Sequence, residues 1–300
     1  MRKILFAVAI ASLSFELVGA SAQARLVNGC VIKPHAACSS ARLRGASLKY
    51  ADLRWAGLSN ANLIGAKLYR AVLQQANMHK ANLTRADLRW VSARGTLLSY
   101  SNMSGAKLFH ADLLHANLSH ARLVSADLSR SQLNYAVGSK ADLRYVRAVD
   151  ASLFEANFSD SLLSHANLVR AYMVQAKLIG ANLAWANLSS ADLGGAKLAR
   201  VNLSNANLNR AVLWNVDLTH ARLTRARLTS ANLIVAGLNG ANLRGANLKG
   251  ADLSASDLTR ADLSASDLRG ANLTDAILKG ANLTDAKLTG ATMPDGTLHP

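Results

Sequence analysis

From Ala241 to Gly290 the chain reads ANLRG ANLKG ADLSA SDLTR ADLSA SDLRG ANLTD AILKG ANLTD AKLTG, ten units of a small residue, a residue that is polar in all but one, a Leu and two mostly polar or turn-forming residues. The same frame holds from Ala41 to Pro300, giving fifty-two units, forty-four of them with Leu at the third position. An α-helix cannot bury such a set, because five residues advance ~500° and displace each Leu ~140° from the last. A straight strand fails too, since an odd repeat sends successive Leu residues to opposite faces. Only a chain that turns within every unit gathers them. With the first and third residues inward and the last two making a corner, all the Leu side chains meet in one core, which predicts an all-β solenoid.

The thirty Lys and Arg between Ala41 and Pro300 agree with this frame, because all fall at the second, fourth or fifth position. None is inward, as the cost of burying an unpaired charge requires. The recurring polar residue at position two, as in Asn62, Asp112 and Asn182, is expected to form a stacked, hydrogen-bonded ladder rather than to do catalysis.

These A(D/N)LXX units resemble the pentapeptide-repeat family over about 260 of the 300 residues. The resemblance implies a right-handed quadrilateral β-helix with four units per coil. Residues 41–300 would then form about thirteen coils stacked ~4.8 Å apart, a rod roughly 60 Å long. Leu is replaced by Met78, Met103, Met173, Met293 and Phe158, which still fill a core, and by Ala93, Gly138 and Ala148, which do not. Thinning or bulging is therefore expected around Val91 to Gly105 and Ser131 to Asp150, where Val91, Thr96, Ser101, Ser131 and Val146 also replace the inward Ala.

Residues 1–24 have the form of a secretory signal peptide: Arg2 and Lys3, an apolar run from Ile4 to Val18, then Ala22-Gln23-Ala24. The run is short for a membrane span and is interrupted by Ser12, Ser14 and Glu16, so cleavage after Ala24 is expected, leaving no transmembrane segment. Losing two basic residues and one acidic residue lowers the formal charge from +16 to +15. The predicted destination is periplasmic or secreted. Residues 25–40 precede the clean repeats and form an expected N-terminal cap. They hold Cys30 and Cys38, which are expected to pair in an oxidising compartment. The alternative is a buried free Cys38 and an exposed Cys30. At the other end no helix pattern covers the last coil, although the frame continues through Met293 and Leu298. An uncovered coil predicts an end-to-end homodimer, as the family resemblance also implies.

No nucleophile with its base and no glycine loop opening a helix is recognisable, so no catalytic residue, cofactor or metal is assigned and the chain is not expected to be an enzyme. His110, His115 and His120 would lie on three different faces and cannot converge on a metal.

Numbering faces from Ala41 with four units per coil divides the net charge +5, +9, −5 and +4 over faces one to four. On face two, basic and aromatic residues interleave: Lys49 with Tyr50, Lys67 and Arg70 with Tyr69, Arg89 with Trp90, and Lys107 with Phe109 and His110. Cations beside ring faces suit an anionic polymer, whether an envelope glycan, lipopolysaccharide or nucleic acid. The competing reading is a solvated face whose cations stack on their own aromatic neighbours. Face three is acidic and carries outward Trp55, Phe154, Tyr172, Trp214 and Ile234, either a surface for a protein partner or a product of β-propensity alone. A binding rod of the bacterial envelope fits these features. The family's topoisomerase-protecting DNA mimics need an acidic rod, whereas this one is basic and addressed outward; a host-directed effector is a third possibility that the residues neither favour nor exclude.

Overall fold

The structure is a computed structural model that describes residues 25–300; the signal-peptide expectation lies outside them. From Ala37 to Thr292 the second residue of each unit forms a parallel β-bridge to the residue twenty further on, beginning with Ala37↔Gly57 and ending with Asn272↔Thr292. The chain is therefore a β-helix whose coil holds four pentapeptides. Bridges replace long strands because each unit spends only its second residue on pairing before it turns.

Three backbone N–H groups per unit bond to neighbouring coils. Around Leu48, Leu48 N donates to Lys67 O (2.8 Å), Tyr50 N to Tyr69 O (3.0 Å), and Lys67 N to Ala46 O (2.9 Å). The first residue of each unit closes the turn, as in Ala51 N to Leu48 O (3.2 Å). This turn places every fifth residue from His35 to Gly290 in the left-handed region, with φ between 52° and 72°. Asn and Asp at position two serve that turn. Asn82 Oδ1, for example, accepts from Thr84 N (3.1 Å) and Thr84 Oγ1 (2.6 Å), satisfying the one backbone donor that the coils leave over. The expected ladder exists only as an addition, as where Asn207 Nδ2 donates to Asn187 Oδ1 (3.1 Å) and Asn272 Nδ2 to Asp252 Oδ1 (3.1 Å).

Ala and Leu fill the interior, and Leu43, Leu48 and Leu53 of the first coil are already fully buried. A hairpin seals that end: β1 (Arg25–Val27) pairs antiparallel with β2 (Cys30–Ile32). The Asn28 amide donates to Arg42 O (2.9 Å) and the Arg25 guanidinium to Ser47 O, so side chains take the place of a preceding coil. A disulfide joins Cys30 to Cys38, Cα atoms 5.3 Å apart. Regular geometry already holds in Ala36–Ser40, since Ala37 forms the first bridge.

Two expectations are corrected. The coils neither thin nor bulge at Val91–Gly105 or Ser131–Asp150, where the bridges run through without a slip. Val91 and Val146 enlarge the first position where Ala93 and Ala148 shrink the third, and all four are buried. A Cβ on Gly138 would lie 2.1 Å from Phe158 Cε1 of the next coil, so the phenyl ring occupies the space that Gly138 vacates. The buried hydroxyls of these stretches find carbonyls, as in Ser131 Oγ to Leu128 O (2.6 Å) and Thr96 Oγ1 to Leu73 O (2.8 Å). The second correction concerns the tail, where the frame stops at Met293. Met293 N donates to Thr297 O (2.7 Å) and Leu298 pairs antiparallel with Thr292, so Leu298 is exposed rather than inward.

Candidate functional site

The twenty-residue coil brings all ten face-two candidates together on four successive rungs. The fourth position reads Lys49, Tyr69, Arg89, Phe109, alternating cation and ring, and the fifth reads Tyr50, Arg70, Trp90, His110, where one cation lies between rings and the last two rungs are both rings. Lys67 and Lys107 stand at the second position beside them.

The rings and cations satisfy one another. Tyr50 meets Tyr69 edge to face at 5.7 Å. The Arg70 guanidinium lies 5.4 Å from the Tyr69 ring centre and 5.9 Å from that of Trp90, and Arg89 lies 5.7 Å from Tyr69. Trp90 stacks on His110 at 4.0 Å, and His110 touches Phe109 at 4.3 Å. Burial, helped by the charge of Arg130, holds the His110 imidazole below its ordinary pKa.

Two participants escaped the sequence reading. Arg130 extends the cluster by one rung, 5.8 Å from Phe109; it continues the fifth-position column and was findable there. Asp87 lies within the patch and binds Arg89 through two bonds of 2.7 Å. Arg89 holds the Asp87 carboxyl below the usual carboxylate range against the opposing effect of burial, with a further contribution from Lys107. Asp52–Arg54, Asp142–Arg144 and Asp267–Arg269 repeat this pairing of positions two and four. Lys49, Lys67, Arg70 and Lys107 enter none of the ion pairs among the described residues.

The face-three candidates do not form one strip. Trp55 stands apart near the N-terminal end, stacked on His35 at 5.0 Å beneath Arg54. Phe154 and Tyr172 form a cluster with Tyr135, with ring centres 5.6 and 6.1 Å apart. Trp214 covers Gly194, where a Cβ would lie 2.3 Å from the indole Nε1. Ile234 follows one coil later, half-buried beside exposed Val235.

The three histidines at five-residue spacing stack separately, His110 on Trp90, His115 on Tyr135 and His120 on Tyr100. Among the described residues no group of three or more His, Cys, Asp or Glu could hold a metal ion. No helix among them is long and apolar enough to cross a membrane.

With this geometry in hand, comparison with known proteins identifies the class. Eight copies of the family model described as pentapeptide repeats match, starting at residue 36 and ending at residue 295. The chain belongs to the pentapeptide-repeat family. It is similar to HetL of the cyanobacterium Nostoc sp. strain PCC 7120, a pentapeptide repeat protein involved in heterocyst differentiation regulation. Identity is 37%, covering 69% of this chain and 92% of HetL, with a TM-score of 0.51. QnrB1, a plasmid-mediated fluoroquinolone resistance protein, is 17% identical over 75% of this chain and 88% of its own, with a TM-score of 0.29. A pentapeptide repeat protein from the Arabidopsis thaliana thylakoid lumen is 28% identical over 33% of this chain and 65% of its own, with a TM-score of 0.20. No curated protein matches the sequence. Family membership and the likeness to HetL give the coils the family's right-handed sense.

Proposed function

We propose that the chain is a non-enzymatic rod of about thirteen coils that is exported past a signal peptide at residues 1–24 and works in the periplasm or outside the cell by displaying binding surfaces. Its principal surface is the basic face two, and its ligand is an anionic polymer: an envelope glycan, lipopolysaccharide or nucleic acid. The interleaving of cations and rings over four rungs supports this reading, because positive charge repeated along an axis matches a polymer better than a small molecule. Lys49, Lys67, Arg70 and Lys107 supply the charge, while Arg89, held by Asp87, braces the rings. Face three offers Trp55, Phe154, Tyr172, Trp214 and Ile234 to a protein partner in separate clusters, and the open last coil associates end to end with a second copy.

Binding of heparin by the purified chain, measured by titration at increasing salt, tests the principal surface. Replacing Lys49, Lys67, Arg70, Arg89 and Lys107 by Gln is expected to weaken binding about tenfold or more and to flatten its salt dependence. The comparison variant neutralises Arg42, Lys80, Arg122, Lys140 and Arg200 on faces one and four. Equal losses in the two variants would leave only net charge and abolish the face-two site.

A further inference from the structure

The corner between faces one and two carries its own column of fifth-position side chains: Tyr145, His165, Trp185, Asn205, Arg225 and Gly245. Tyr145 and His165 stack at 4.9 Å with planes 8° apart, and His165 and Trp185 lie parallel within 4° at 6.3 Å. The rings then stop. Asn205 is short, and the stem of Arg225, two rungs beyond Trp185, lies 3.6 Å from where a Cβ on Gly245 would stand. Between Trp185 and Arg225 a notch of ≈ 330 Å³ remains, lined also by Asn187, Asn207 and Arg227. A second depression of ≈ 420 Å³, lined by Ser189, Asn209, Arg210 and Thr229, shares Asn207 with the first, so the two adjoin there as a groove across face two. Trp185 is 59% exposed at its mouth.

The charge around this groove is one-sided. On faces one and two of the coils between Ala181 and Gly250 there are six basic residues and no Asp or Glu. Arg210, Arg225 and Arg227 enter no ion pair among the described residues, unlike Arg89 of the cluster described above. The amides are already oriented: Asn207 Nδ2 donates to Asn187 Oδ1 (3.1 Å), and Asn207 Oδ1 accepts from Asn209 N (3.2 Å).

We propose that this groove binds an acidic polysaccharide. One pyranose ring occupies the vacant rung over Asn205, its C–H face against the indole of Trp185, and the carboxylates of that sugar and its neighbour are held by Arg225 and Arg227. A π face attracts the weakly positive C–H edge of a sugar, carboxamides both donate to and accept from hydroxyls, and a guanidinium grips a carboxylate with two parallel bonds. A single-stranded nucleic acid fits less well, because successive bases need successive platforms and the column offers one ring followed by Asn, Arg and Gly. The site shares no residue with the Lys49–His110 cluster and stands whether or not that cluster binds anything.

The test uses tetragalacturonate with the isotope-labelled chain at low salt, following the indole N–H resonances and assigning that of Trp185 by its loss in Trp185→Ala. The Trp185 signal is expected to move while those of Trp55 and Trp214, on face three, stay. Affinity should fall about tenfold or more in Trp185→Ala and in the Arg225→Gln/Arg227→Gln double variant, and should largely survive in Trp185→Tyr. The five-residue face-two variant should leave this titration unchanged, which separates failure of one site from failure of the other. The proposal is overturned if the Trp185 resonance is indifferent to the tetrasaccharide, if Trp185→Ala binds it as well as the parent, or if neutral maltotetraose or tetrathymidylate binds as tightly.

Discussion

At the fifth position of each unit, ordinary side chains sit where glycine is at ease. Ala255 and Ala265 hold φ of 53° and 55° with their methyl groups exposed, a backbone state that costs an L-residue on the order of 1–2 kcal/mol. The methyl group gains no burial in return. Ala255→Gly and Ala265→Gly are therefore each expected to stabilise the chain by roughly 0.5 kcal/mol, after the larger entropy that glycine loses on folding. Thermal unfolding of the double variant should move to higher temperature; a decrease would mean that the turn does not bear this strain in solution. The strain was not legible in the sequence, because Tyr, His, Arg and Trp occupy the fifth position alongside Gly. Three inter-coil backbone bonds per unit hold the turn whatever its side chain, so composition there records the surface rather than the backbone. The inward positions were legible because burial admits few residue types, and the same exclusion placed the charges.

Between elements, neighbouring coils complement one another in volume, which no single unit reveals. Gly138 and Phe158 stand at the same inward position of adjacent coils, and the ring fills what the glycine omits. Restoring Leu at position 138 alone drives it into the ring, while Phe158→Leu alone opens a cavity; each is expected to cost about 1–3 kcal/mol. Together the two changes recreate the ordinary unit pair and should recover most of the summed loss, a coupling of about 2 kcal/mol or more in a double-mutant cycle by chemical denaturation. Additive losses would show that the two residues do not share one space. A unit-by-unit reading predicted a defect here because it treated Gly138 as an isolated deletion, when the compensating atoms lie twenty residues on. The candidate patch behaves the same way. Period and coil length placed Lys49 to His110 in interleaved columns, but that Asp87 holds Arg89, and that Arg70 lies against both Tyr69 and Trp90, depends on side-chain geometry that periodicity leaves free.

Along the whole rod the two ends differ, and the proposed end-to-end association belongs to the open one. The hairpin and its disulfide cover the first coil so fully that Leu43, Leu48 and Leu53 have no exposed surface. At the far end the tail folds back along Gly290 to Met293 and leaves Leu278, Leu283 and Leu288 partly open on the other three faces. Apolar side chains beside unpaired strand edges invite a partner with the same deficit, and the matching surface is the last coil of a second copy, related by a two-fold axis. Acidic and basic groups are mixed there, with Lys279 and Lys287 among Asp275, Asp285 and Asp295. Association should therefore depend on apolar burial and vary little with salt, in contrast to polyanion binding. Sedimentation equilibrium is expected to show a monomer–dimer equilibrium that Leu283→Asp shifts to monomer while the remaining coils stay folded, as a retained β circular-dichroism signal at low concentration would show. A parent chain that stays monomeric at high concentration would rule the association out, and a Leu283→Asp variant that dimerises as well as the parent would place the contact elsewhere.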